Sequence, residues 1–132
     1  MEAIRNFVHG WTDTNGNKSV FLKYLDLLES QPDAELSFEA RPGVSYSLRA
    51  RHARQSDRPL YVMVDVVDDD PAARWLSVCF FGDMITDPLE AGDLIPEGLL
   101  GDDGYCFDVD DPEPGIVDYV ADRIREAHVN AS

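Results

Sequence analysis

The change of hydrophobic period at Glu35 constrains this chain more than any other feature. From there, four consecutive segments alternate apolar and polar residues: ELSFEAR, VSYSLRARH, LYVMVDVV and RWLSVCFF. A period of two sends successive side chains to opposite faces, so the segments read as four successive strands. Their links are too short for parallel crossovers, which need a dozen or more residues, and this favours antiparallel neighbours.

Ahead of the strands the period is helical. Ile4, Phe7, Val8 and Trp11 fall on one face of a helix over residues 2–11, and TDTNGN then breaks it. A second helix is expected from Lys18 to Ser30, burying Phe21, Tyr24, Leu25 and Leu28, with Asn15 or Asn17 as its cap and Gln31-Pro32 as its stop. Near the other end, YCFDV makes a fifth strand. Ile116, Val117, Val120, Ile124 and Ala127 then define a helix over 115–128, with acids early and arginines late, as its dipole prefers.

The predicted fold is therefore α+β: two N-terminal helices, a mainly antiparallel sheet of about five strands and a C-terminal helix. It forms one domain, with a helical hairpin over 2–31, a sheet over 35–110 and a long 82–103 connection. Within that connection Asp87, Pro88, Glu90 and Gly92 suggest one or two turns of helix. At 132 residues and 44% hydrophobic, the chain can bury a full core without a metal or disulfide staple.

Parity sorts the middle strands into two faces. With His52 opposite Leu60, one face carries Val44, Tyr46, Leu48 and Ala50, then Val62, Val64 and Val66, then Leu76, Val78 and Phe80. That face is apolar throughout and is assigned to the core. The other displays Ser45, Ser47, Arg49 and Arg51, then Tyr61, Met63 and Asp65, then Trp75, Ser77, Cys79 and Phe81. A merely solvated face seldom carries so many large apolar groups, and a second core seldom carries two arginines and an aspartate.

This mixed face is the candidate binding surface. Tyr61, Met63, Trp75 and Phe81 would supply apolar contact, and Arg49, Arg51 and Asp65 would orient a small anionic ligand or a protein partner, a second copy making a homodimer included. The expected role is a non-covalent binding or regulatory module. Arg41, Arg49, Arg51, Arg54 and Arg58 cluster, whereas positions 75 to 122 hold no Lys or Arg. A guanidinium can grip an anion in bidentate fashion, but pairing with Asp65 and with the acidic segments of the same protein is favoured for these arginines.

A net charge of −15 repels phosphate backbones, so direct nucleic-acid binding is disfavoured. The same charge suits an acidic mimic of nucleic acid that blocks a basic protein, which is the second reading. An enzyme is the third, with no convergent acid, base or nucleophile set: His9, His52 and His128 are isolated, and His52 and Cys79 fall on opposite faces.

Three acidic segments invite a metal reading. Residues 13–24 begin like a calcium loop at Asp13, Asn15 and Asn17, but Lys18 and Tyr24 occupy the glycine and glutamate positions. Asp68, Asp69 and Asp70 precede Pro71 and read as a turn. Asp108 and Asp110 point the same way from one strand, about 7 Å apart, and are the candidate Ca²⁺ ligands, against a charged strand edge as the favoured alternative. No segment has the length of apolar chain needed to span a bilayer. A cytoplasmic protein with reduced, buried Cys79 and Cys106 is the expectation.

Overall fold

The computed structural model describes residues 2–132. The chain runs α1 (Glu2–His9), α2 (Asn17–Ser30), β1 (Ala34–Arg41), β2 (Ser45–His52), β3 (Val62–Val67), β4 (Trp75–Phe81), a 3-10 turn (Gly82–Met84), β5 (Asp93–Leu99), β6 (Asp102–Val109) and α3 (Pro114–Ala131). The strands form one six-stranded sheet in the order β1-β2-β3-β4-β6-β5, every neighbouring pair antiparallel. The α+β architecture is as expected, with one strand more than the alternation of apolar residues announces.

The additional strand is β5, inside the 82–103 connection. Its side chains are exposed up to Leu99, and Pro96 and Gly98 interrupt it, so it carries no period of two. Pro96 is tolerated because β5 lies at the sheet edge. The expected helical turn over Asp87–Gly92 does not form. Glu90 takes a left-handed backbone (φ 51°), which ends any helix, and the Asp87 carboxylate instead accepts from the amides of Ala91 and Gly92.

Each helix starts and stops for local reasons. Gly16 at φ +89° caps α2, and a Cβ there would lie only 3.1 Å from the Pro112 ring. Asn17, an expected cap, is instead fully buried and donates from its amide to the carbonyls of Arg74 and Asp110. Pro114 occupies the first turn of α3, where its missing N–H costs nothing.

All three helices pack on one face of the sheet. Phe21, Tyr24 and Leu28 of α2, with Val120, Ala121, Ile124 and Ala127 of α3, meet Leu48, Ala50, Val62, Val64, Val66, Leu76, Val78, Phe80, Phe107 and Val109, all at most 1% exposed. Each of the larger aliphatic and aromatic groups contributes roughly 1.5–3 kcal/mol when buried. In α1, Phe7 stacks on Tyr46 (4.1 Å) and packs on Phe38 (5.5 Å), closing the same layer. Val44 was expected in this core but is 60% exposed, because β2 begins one residue later, beyond the Pro42-Gly43 turn.

The cysteines also depart from expectation. β6 lies against β4 with Cys106 directly opposite Cys79, and the two sulfurs form a disulfide rather than two buried thiols.

Candidate functional site

With every helix on one side, the other side of the sheet has only its own side chains and loops for cover. The ladders fix its layout. One row crosses Glu39, Ser47, Asp65, Ser77 and Asp108; the next crosses Ser37, Arg49, Met63, Cys79, Cys106 and Asp93. Beside the first row lie Arg41, Ser45, Val67 and Trp75. Six strands make this face roughly 24 Å across.

Six of the seven residues assigned to this face by parity lie on it, Arg49, Arg51, Met63, Asp65, Trp75 and Phe81, with Met63 only 9% exposed. Arg49 and Arg51 are not free, however. Arg49 donates to Ser47 Oγ (3.1 Å) and faces Glu39 at 3.3 Å, while Arg51 holds Glu35 at 2.7 Å and the Gln55 carbonyl at 2.6 Å. Both guanidinium groups are thus paired internally, but the ion-pair partners are the β1 glutamates and not the expected Asp65. Strand β1 lies opposite β2 residue for residue, which brings Glu35 against Arg51 and Glu39 one step from Arg49.

Tyr61 belongs to the opposite side. Its amide donates to Ala50 O although Val62 is the residue opposite Ala50, so two residues face one and the alternation breaks there. The Tyr61 ring turns in among the helices, where its hydroxyl donates to Gln31 and the ring meets His128 edge-on at 5.5 Å. Burial pushes its hydroxyl far above the ordinary tyrosine range.

Phe81 keeps its face but not its access. Arg58 lies over the ring at 4.3 Å and is itself tied to Asp83 by two hydrogen bonds, leaving Phe81 1% exposed. Nothing in the strand pattern signals this cover, since Arg58 arrives from the β2–β3 loop.

Asp65 is the most unusual group on the face. Desolvation raises its carboxyl above the ordinary range, partly offset by Ser47 and by the charges of Arg49 and Arg41, and Oδ1 is buried without a hydrogen-bond partner. Asp108 is also raised, by desolvation and then by the like charges of Asp93 and Asp110. Asp110 lies just past the end of β6, so the two carboxylates do not project from one strand as the sequence suggests. No group of three or more His, Cys, Asp or Glu converges to hold a metal ion among the described residues.

The face is electrically divided. Its β1–β2 half sets Arg41, Arg49 and Arg51 against Glu35 and Glu39; in its β6–β5 half Arg58 reaches Asp102 at 3.9 Å, while Asp93 and Asp108 have no ion-pair partner among the described residues. Between them lie the buried Met63 and the half-buried Trp75. His52, by contrast, is buried on the helical side, so it shares no space with Cys79. No family model, curated protein or solved structure matches the chain.

No helix among the described residues is long and apolar enough to cross a membrane.

Proposed function

We propose that this chain is a non-covalent protein-binding domain that works through the helix-free face of its sheet. The observation that carries the reading is the one-sided placement of the helices, which leaves the half-buried Trp75 between an internally neutralised basic flank and an acidic one where Asp93 and Asp108 have no ion-pair partner among the described residues. A small anion is the weaker candidate, because Arg49 and Arg51 already hold Glu39 and Glu35. The partner that complements the face is a protein presenting an apolar or aromatic ridge with Lys or Arg beside it. Trp75 would anchor the ridge, and Asp93 and Asp108 would meet the cations. A width of roughly 24 Å suits one side of a standard protein interface.

The acidic-mimic reading is a special case in which the basic partner is a nucleic-acid-binding protein; a partner displaced by added duplex DNA would select it. The general proposal is tested by placing a photo-crosslinking residue at Ser77, in the middle of the face, and at Val129, exposed on α3. A basic protein captured from the source cells at position 77 and not at 129, and binding purified wild-type chain, supports the proposal. Equal capture at both positions, or an acidic partner, refutes it.

A further inference from the structure

The two edges of the sheet differ. Strand β5 is broken as a pairing template: Pro96 lacks a donor, the register to β6 shifts between Ile95 and Leu99, and Glu97 is left-handed at φ 56°. Strand β1 has no such protection. It is regular over eight residues, contains no proline and keeps one register with β2 throughout.

Which groups β1 presents outward follows from two hydrogen bonds. Ala53 N donates to Asp33 O, so the odd-numbered residues of β1 face β2; Asp68 N donates to Val44 O, which assigns the even residues of β2 to β3 and agrees. The N–H and C=O groups of Leu36, Phe38 and Ala40 therefore point away from the sheet. Among the described residues none of them has a hydrogen-bond partner.

We propose that β1 is a homodimerisation edge, pairing antiparallel with β1 of a second copy about a twofold axis at Phe38. In this register Phe38 faces Phe38 of the second copy and Leu36 faces Ala40. Each such pair exchanges two main-chain hydrogen bonds, and the parity places all of them on outward-pointing groups. Glu35 then stands opposite Arg41 of the second copy, and Arg41 opposite its Glu35. A register centred on Ala40 would run into Pro42 and the turn, and one centred on Leu36 would leave Arg41 unpaired. Leu36 and Phe38 are both only half-buried on the helical side, so the pairing completes their cover.

Charge favours this edge as well. The molecule carries −15, yet β1 and the adjoining row of β2 set Arg41, Arg49 and Arg51 against Glu35 and Glu39. A second copy therefore meets less repulsion here than over the β5–β6 side. The resulting dimer would join two helix-free faces into one continuous surface without covering either, so its existence and the proposed binding role stand or fall separately.

Sedimentation equilibrium of the full chain tests the proposal. The wild type is expected to show a monomer–dimer equilibrium. Ala40→Pro removes an outward donor while leaving the β1–β2 hydrogen bonds intact, and should give a monomer with unchanged circular dichroism. Arg41→Glu should weaken the dimer about tenfold by setting like charges opposite, and Glu35→Arg/Arg41→Glu together should restore it. A wild type that stays monomeric at every concentration, or a dimer indifferent to both Arg41→Glu and the charge swap, overturns the assignment.

Discussion

Arg74 holds Asp68 across the β3–β4 turn through an Nε–Oδ1 contact of 2.7 Å, with only 12% and 4% of the two side chains exposed. The other Asp68 oxygen accepts from Gly43 N at 2.8 Å, tying the β1–β2 turn to the β3–β4 turn. Arg74 also lies over the rings of Phe7, Tyr46 and Trp11, at 5.3, 5.4 and 5.5 Å. Its carbonyl receives the side-chain amides of Asn15 and Asn17. The acidic run Asp68–Asp70 thus forms a turn, as its composition suggests, but its first member is a structural ion-pair partner.

Removing Asp68 leaves a buried guanidinium without its partner, so Asp68→Ala should cost about 3–5 kcal/mol in urea unfolding at neutral pH. Desolvation pushes the Asp68 carboxyl up, but Gly43 N–H and Arg74 more than offset it, and the net position is below the ordinary carboxylate range. A lowered pKa contributes stability above the unfolded value of about 3.9, lost as pH falls through the folded value. The Asp68→Asn protein should accordingly lack this part of the wild type's acid-induced loss below about pH 4.

Asp65 has the opposite sign. Its carboxyl is raised by desolvation, so the folded state binds the proton more tightly than the unfolded chain, and stability falls as pH rises through that interval. Asp65→Asn should stabilise the domain at neutral pH by on the order of 1 kcal/mol, since a charged buried oxygen without a partner is replaced by a neutral one. Thermal unfolding at pH 7 and again well below the carboxylate range is the check, with the gain confined to pH 7.

The Cys79–Cys106 bond closes a loop with a sequence separation of 27. Loop-closure entropy assigns about 3.5 kcal/mol to such a link. The ladder from Leu76–Val109 to Phe81–Gly104 holds β4 and β6 together independently. Reduction with dithiothreitol should therefore lower the urea midpoint without abolishing the native circular dichroism. Thiol titration of the untreated, unfolded protein should find no free thiol.

The alternation of VSYSLRARH, LYVMVDVV and RWLSVCFF specified the two faces and the parity of the pairing, since apolar residues on one face tolerate no slip of a single position. It could not show where a strand departs from ideal geometry. Tyr61 leaves the mixed face through a local two-against-one irregularity, and Val44 leaves the core because a turn holds it. β5 was hidden because an exposed edge with Pro96 and Gly98 needs no hydrophobic period. The disulfide was hidden because it depends on β6 skipping over β5 to reach β4, a matter of topology; once that neighbour is known, equal parity of Cys79 and Cys106 makes them partners. Arg49 and Arg51 were legible as internally paired, but their partners Glu35 and Glu39 become apparent only when β1 is laid beside β2.

Binding of a basic protein partner to the helix-free face can be read from affinities after paired substitutions. Trp75→Ala/Asp108→Lys alters the face alone, while Leu22→Glu alters an exposed residue of α2 on the helical side. Isothermal titration against the partner captured at Ser77 should show the double variant weakened by at least about thirtyfold, as for loss of an interface anchor, with Leu22→Glu matching wild type. Unchanged affinity in the double variant, or an equal loss in Leu22→Glu, would mean that the partner does not bind this face.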